Sequence, residues 1–350
     1  MRGNNFINNA VRAAAQRGKS MGLTRRAVVA CTMACVGLLG GCGGGGGSSS
    51  TDSGSSGVGA SASSGTNVLF AGDAASGSIA AFTTLSPAAG TITANVFTKL
   101  TGAGSSLAYD QPRDLLYVIE SWPFNTPAVQ VQVFTGASKI APGAVAARTI
   151  ALNDFQLALA MFLDKTNDTL WVGGTDTSGL ARVEVFQHAS TLSGAPVPDR
   201  ILKTNQANAL TVDVGRSILY VLSDSVVSVY EGAATISGSV FPNRFVYDFA
   251  GNNLSVDSAR DILYGATSQG SLLIVPGAST ASGRVGTKVT LPSTAQARSA
   301  LVDSANDRLY VGALGGGFVF DNASALTASS SATGVEVLAP GSLISGFAFP

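Results

Sequence analysis

Cysteine is nearly absent from this sequence: Cys31, Cys35 and Cys42 are its only three, and residues 43–350 contain none. A domain built from those residues has no disulfide bonds and must be held together by its core. His188 is the only histidine. A metal site with several histidine ligands is therefore excluded, and a Ser-His-Asp triad would have a single candidate base.

Charged residues are also scarce, at 12% of the chain, and the formal net charge is zero. Residues 1–41 hold six basic residues and no acid. The rest of the chain keeps 15 basic and 21 acidic residues, a net charge of −6. Because nucleic-acid binding requires a basic surface, this acidic remainder predicts no nucleic-acid partner. Forty-two glycines favour an all-β protein that is rich in turns.

The N-terminal region has the pattern of an export signal. Arg25-Arg26 precede an apolar run from Ala27 to Leu39, which is too short to cross a bilayer as a helix. The run is followed by Gly40-Gly41-Cys42, and a basic region, a short apolar run and small residues are typical of a signal peptide. We therefore expect residues 1–41 to be a signal peptide. Export by the general or the twin-arginine route, and a start at Met1 or Met21, both stay open.

Leu39-Gly40-Gly41-Cys42 resembles the lipobox of bacterial lipoproteins. The resemblance implies that Cys42 is lipidated and becomes the mature N-terminus, with the protein anchored in the cell envelope, in the outer membrane. The alternative is an ordinary signal peptide in which Cys42 is incidental. Residues 43–65 are almost wholly Gly, Ser, Ala and Thr, a composition typical of a flexible linker. We expect residues 42–65 to tether a folded domain that spans 66–350.

One segment recurs five times in that domain, and each copy has an apolar residue shortly before an aspartate and a Leu-Tyr-Val-like strand after it. The five aspartates are Asp110, Asp164, Asp213, Asp257 and Asp303. They are spaced by 54, 49, 44 and 46 residues, and each copy continues into two further β-rich stretches. Four short strands in roughly 47 residues are typical of one blade of a β-propeller. A β-sandwich, the main alternative, offers no reason for a regular period.

The two ends of the domain supply a sixth copy. Val68–Ala71 and Ile79–Phe82 match the second and third strands of the repeat, while Ile344–Phe349 match a first strand. The sequence therefore predicts a six-bladed propeller of four-stranded antiparallel blades, with one blade closed by the N- and C-terminal strands. The repeats resemble the NHL and YVTN-like propeller repeats of exported bacterial proteins. That resemblance implies a fold shared by proteins of many functions.

The repeated aspartates are interpreted as turn residues. The pairs Asp110/Asp114, Asp164/Asp168, Asp257/Asp261 and Asp303/Asp307 flank the turn between the first and second strands. Aspartate stabilises tight turns through its own side chain, and a single cation site would not need a copy in every blade. His188 aligns with Gly136, Gly232, Gly277 and Asn322, so we expect a turn with positive φ there. Arg148, Arg200, Arg244 and Lys288 begin the fourth strand, where charge is expected to prevent pairing between molecules.

The candidate binding face lies at the opposite ends of the strands, where the repeats stop agreeing and function is commonly built. Its residues follow the second strand or precede the first, and they are Asp73, Glu120, Trp122, Phe124, Asp176, Asp224, Asn208, Asn253 and Arg298.

Two functions fit this pattern. The first is a non-catalytic, monomeric envelope lipoprotein whose propeller binds an envelope protein, a glycan or a small ligand, without a cofactor. The second is a metal-dependent hydrolase that resembles six-bladed gluconolactonases, with a divalent cation such as Ca²⁺ at the channel mouth. Asp73, Glu120, Asn208 and Asn253 would supply its ligands.

Overall fold

The computed structural model describes residues 68–73, 77–82, 96–99, 104–120, 129–249, 253–267, 271–291, 297–313, 316–326, 335–337 and 344–348. Nearly all regular structure in these ranges is β-strand, arranged in six separate sheets. Two short 3₁₀ helices, Ala137–Lys139 and Ala323–Ala325, follow third strands. No helix among the described residues has the length and apolar character needed to cross a membrane.

Each sheet is one blade, and its strands are called A to D from the channel outward. Blade I has Ile344–Ala348, Leu69–Asp73, Ser78–Phe82 and Val96–Lys99. Blade II has Gly104–Asp110, Leu115–Glu120, Gln130–Thr135 and Arg148–Ala151. Blade III has Phe155–Asp164, Thr169–Asp176, Ala181–Gln187 and Arg200–Lys203, with Gly238–Ser239 added at its outer edge. Blade IV has Ala209–Asp213, Ile218–Ser223, Val226–Glu231 and Arg244–Tyr247. Blade V has Leu254–Asp257, Ile262–Ala266, Ser271–Pro276 and Thr287–Thr290. Blade VI has Ala297–Asp303, Arg308–Ala313, Gly316–Asp321 and Val335–Val337.

The six A strands contact one another in cyclic order, which closes the blades into a ring. Within each blade the four principal strands pair antiparallel with their neighbours. The prediction of a six-bladed propeller is confirmed, and the sandwich alternative is wrong. Blade I is completed as the sequence predicts, because Phe70 pairs with Ala348 and Ala71 pairs with Phe347.

The B strands are apolar on both faces because each blade packs between two others. Residues Leu115–Glu120, for example, are all buried. Tyr117, Tyr220, Tyr264 and Tyr310 occupy the same position in four blades and are fully or almost fully buried. Apolar contact between neighbouring blades, rather than one central core, therefore stabilises the ring.

The A–B turns and the C–D connections lie at one end of the blades, called here the turn face. The first aspartate of each repeat organises its turn. Asp257 Oδ1 accepts hydrogen bonds from the backbone N–H groups of Ala259 and Arg260 at 3.0 and 3.1 Å. Arg260 Nη1 donates to Asp257 Oδ2 at 2.9 Å and to the carbonyl of Ser304 in the next blade at 2.7 Å. These turns thus link one blade to the next.

The second residue of the pair has positive φ, as Asp114 (53°), Asp168 (51°), Asp261 (57°) and Asp307 (49°) show. Each carboxylate accepts two hydrogen bonds from one serine of the C–D connection, for instance from Ser279 N and Oγ at 2.8 and 2.7 Å. The expected turn role of the repeated aspartates is confirmed. His188 also has positive φ, 57°, and matches the turn prediction made for it.

Arg148, Arg200 and Arg244 begin D strands as predicted, and their expected role in preventing pairing between molecules stays a prediction. Arg148 Nε donates to the carbonyl of Leu192 at 2.7 Å, and Arg200 Nη1 donates to that of Ala233 at 2.8 Å. Both acceptors belong to the C–D connection of the next blade. In blade V the corresponding position is Thr287, since Thr287 pairs with Ile274 as Arg244 pairs with Val229, so Lys288 lies one residue beyond it.

The edges of two D strands pair with the neighbouring blade. Gly194, in the C–D connection of blade III, exchanges hydrogen bonds with the D strand of blade II. Its N–H donates to the carbonyl of Thr149 at 2.9 Å, and its carbonyl accepts from the N–H of Ala151 at 2.6 Å. Gly283 does the same for the D strand of blade IV. The exposed edge is satisfied by the neighbouring blade, which the repeat pattern alone does not reveal.

Candidate functional site

The B–C loops and the D–A connections lie at the other end of the blades, called here the loop face. Between the two faces runs a central channel of about 190 Å³, lined by all six A strands. Asn253 Oδ1 and Ser255 Oγ accept hydrogen bonds from the N–H groups of Ala300 and Val302 at 3.4 and 3.0 Å. Lys165 lines the channel next to the turn face, and burial lowers the pKa of its ammonium group.

Glu120 lies at the loop-face end of the B strand of blade II, but it is buried. Its Oε2 atom accepts hydrogen bonds from the amides of Gln130 and Gln132, at 2.8 and 2.6 Å. Gln132 lies on the side of blade II that packs against blade I, since Leu116, Val118 and Phe134 on that side contact Phe70 and Ile79. Glu120 therefore has a structural role between these strands and is no exposed binding residue.

Asp176 ends the B strand of blade III and is only 5% exposed. Its Oδ1 atom accepts hydrogen bonds from the N–H groups of Ser178 and Leu180, both at 2.8 Å. Its Oδ2 atom pairs with Arg182. These hydrogen bonds, first that of Leu180 and then that of Arg182, lower the pKa of the Asp176 carboxyl. Asp176 therefore shapes the loop of residues 177–180 from a nearly buried position.

The other predicted residues lie apart from one another. Asp224 is exposed, with φ of 46°, in the two-residue loop that joins Ser223 to Val226. Asn208 is half-buried and its N–H donates to the carbonyl of Leu222 at 3.0 Å. Asn253 lines the channel, and Arg298 is half-buried at the strand irregularity between Ala297 and Ser299.

Three predicted residues lack a described side chain. Trp122 and Phe124 lie outside the described residues, in 121–128. Asp73 is the last residue of the B strand of blade I, and only its backbone is described. Their place on the binding face stays a prediction.

The cation ligands proposed at the channel mouth fit such a site poorly. Glu120 already accepts two amide hydrogen bonds, and Asn253 belongs to blade V, across the ring from blade II. Among the described residues, no three histidine, cysteine or acidic side chains are grouped as metal ligands require. The described donor set therefore gives no support to a bound Ca²⁺.

An acid that the sequence analysis missed lies beneath the loop face. Glu184, in the C strand of blade III, is 2% exposed, and Arg182 Nη1 donates to its Oε1 atom at 3.1 Å. Burial raises the pKa of the Glu184 carboxyl to about 7, against the opposing effect of Arg182. Arg182 is shared with Asp176 and lies 3.8 Å from Asp154. The sequence did contain a signal for this buried acid. Glu184 is charged, whereas the corresponding strand positions of blades II and IV hold the uncharged Gln132 and Ser228.

Glu184→Gln should change how stability depends on pH. Because the pKa of Glu184 is raised in the folded state, the unfolded chain loses this proton first as pH rises. Wild-type stability should therefore fall between pH 4.5 and about 7 relative to the variant. We expect the Tm of Glu184→Gln to exceed that of the wild type at pH 8 by about 2–4 °C, and to match it near pH 4. Glu231→Gln, at an exposed acid, should keep the wild-type profile. Parallel profiles for wild type and Glu184→Gln would contradict this assignment.

Blade III also has exposed side chains on the loop face, beside these buried groups. Leu180 is 61% exposed in the loop that Asp176 holds, and the Asp154 side chain is also largely exposed. Isolated exposed leucines are ordinary. Leu180, however, is held in place by a buried ion-pair cluster, which gives this loop a defined shape.

These features define the protein as a six-bladed β-propeller with the repeated turns on one face and the loops that vary between blades on the other. No family model matches the chain, and no curated protein matches its sequence. Among solved structures, it is similar to a chain in the crystal structure of a nidogen/laminin complex. The TM-score is 0.53 at 13% identity, over 81% of this chain and 97% of that one. At this identity the similarity establishes the propeller fold alone.

Proposed function

We propose that this protein is a lipoprotein of the bacterial cell envelope, anchored through Cys42, whose propeller binds another envelope protein through its loop face. The observation that carries the proposal is the contrast between the two faces. On the turn face, the repeated aspartates are engaged in hydrogen bonds within and between blades. On the loop face, the blades differ in loop length and side chains, and Leu180 and Asp224 are exposed.

Protein binding also suits the fold. The similar solved propeller belongs to a complex of nidogen with laminin, an example of this architecture in protein–protein recognition. A cofactor-independent binding role needs no grouped catalytic side chains, and no observation on the described residues favours the hydrolase alternative.

Site-specific photo-crosslinking tests the proposal. A photoreactive amino acid replaces Leu180 in the full-length, lipidated protein, and the envelope is irradiated. We expect one discrete adduct whose partner is an envelope protein. The matched control carries the same amino acid at Ala259, an exposed position of the turn face in blade V, and should give no adduct.

An adduct from Ala259 with none from Leu180 would show that the wrong face was chosen. Absence of an adduct from both positions, with the variants folded and lipidated, would contradict a stable protein partner. One stoichiometric divalent ion in the purified domain would instead favour the hydrolase.

A further inference from the structure

The turn-face boundary between blades III and IV lacks a contact that three other boundaries have. In blades II, IV and V an arginine of the A–B turn reaches the next blade, whereas blade VI, like blade III, has an asparagine at this position, Asn306. Arg113 donates to the carbonyl of Lys165 at 3.2 Å, and Arg216 donates to that of Ser258 at 2.6 Å. In blade III the corresponding residue is Asn167, whose side chain donates to Asp164 of its own turn at 2.7 Å. No side chain from that turn position crosses to blade IV.

Two further substitutions meet at this boundary. Ser217 of blade IV stands where four other blades have an aspartate with positive φ, and it keeps the same backbone conformation at 55°. Trp171 of blade III stands where four other blades have a buried tyrosine. The shorter Asn167 and Ser217 leave a cavity of about 430 Å³, which Trp171 and Arg200 help to line. This volume lies within the range of small-molecule sites.

Several hydrogen-bond donors line this cavity. Arg200 donates through Nη1 to the carbonyls of Ala233 and Ile236 at 2.8 and 3.2 Å. Trp171, which is 4% exposed, lies beside it in the lining. Ser217 Oγ accepts a hydrogen bond from Ala234 N at 3.0 Å, so its hydroxyl proton is free to be donated.

The charge of the lining also favours an anion. Arg200 lies over Trp171, with 5.0 Å between the guanidinium carbon and the ring centroid, and it forms no ion pair with a described carboxylate. Arg200 is half-buried, and burial lowers the pKa of its guanidinium. The one acid in the lining is Asp164, and its oxygens already accept three hydrogen bonds from Thr166 and Asn167.

We propose that this cavity binds a small organic carboxylate, whose charged group contacts Arg200 and whose apolar body packs against Val212 and Val214. Carboxylates match the planar donor set of a guanidinium. The site lies on the turn face and is independent of the proposed protein-binding role of the loop face.

The two tryptophans of the chain make the site directly measurable. In a Trp122→Phe background, Trp171 is the sole indole, and its fluorescence reports on the cavity. We expect cyclohexanecarboxylate to change this fluorescence saturably at millimolar concentration or below, and the neutral cyclohexanecarboxamide to bind at least tenfold more weakly.

Variants separate the site from general packing effects. Arg200→Gln should weaken cyclohexanecarboxylate binding at least tenfold, while Arg148→Gln, at the matching position of blade II, should leave it unchanged. Asn167→Arg with Ser217→Asp introduces the arginine and aspartate that meet at the boundaries of blade II with III and of blade V with VI, and should fill the cavity, so a folded protein should lose binding. Three results would each overturn the proposal. The first is equal affinity for the carboxylate and the carboxamide, and the second is binding that persists in the double variant. The third is no saturable fluorescence change at cyclohexanecarboxylate concentrations up to about 50 mM.

Discussion

Removal of Ser345–Pro350 should abolish cooperative folding of the propeller. This deletion takes away the A strand of blade I, which pairs with Leu69–Asp73 and contacts the A strands of blades II and VI. Without it, the edge of the B strand of blade I is unpaired, and apolar surface on blades I and VI is exposed to water. We expect the truncated chain to be insoluble or to lack a cooperative thermal transition in circular dichroism.

A point substitution tests closure of the ring by the C-terminal strand with a smaller perturbation. Phe347 is 6% exposed and lies 6.2 Å from Tyr310 of blade VI, between ring centroids. Phe347→Ala should lower the free energy of unfolding by about 3–5 kcal/mol, as expected for a buried phenylalanine. Phe241→Ala is the matched control, since Phe241 is 96% exposed, and it should change stability by less than about 0.5 kcal/mol. Equal effects of the two substitutions would argue against closure by the C-terminal strand.

The fold was predictable because the same pattern, a turn aspartate followed by a Leu-Tyr-Val-like strand, occurs five times. A ring of similar blades gives every copy the same environment. The incomplete copies at the two ends of the domain pair with each other to form one blade. Contacts between blades were harder to predict. Arg148 and Arg200 have charged side chains in outer strands, yet their partners are backbone carbonyls some 33–44 residues away in the next blade.

The loop face is where the blades differ in sequence, but whether it is a binding site stays a prediction. Glu120 and Asp176 are buried there by local partners. The register of each B–C hairpin brings these acids to their partners. It places Glu120 beside Gln130 and Gln132, and it places Asp176 beside Ser178 and Leu180. A one-residue difference in register decides whether such an acid is exposed or buried. The cavity beside Trp171 depends on Asn167 and Ser217 meeting across two blades, which requires the aligned structure.

Cys42→Ala should release the protein from the membrane. The apolar run before Cys42 is too short to span a bilayer, so a lipid on the Cys42 thiol would be the principal anchor. Because all three cysteines lie in residues 1–42, no other residue of the mature chain can replace that thiol. We expect nearly all of the variant in soluble fractions, against nearly all of the wild type in membranes. Cys35→Ala is the matched control and should leave the wild type distribution unchanged.

The intact mass of the membrane-extracted wild-type protein tests the central claim, a lipid-anchored propeller, most directly. The account predicts a mature chain that begins at Cys42 and carries the additional mass of a thioether-linked lipid. A mature chain that retains residues 1–41, or one that carries no lipid, would contradict it.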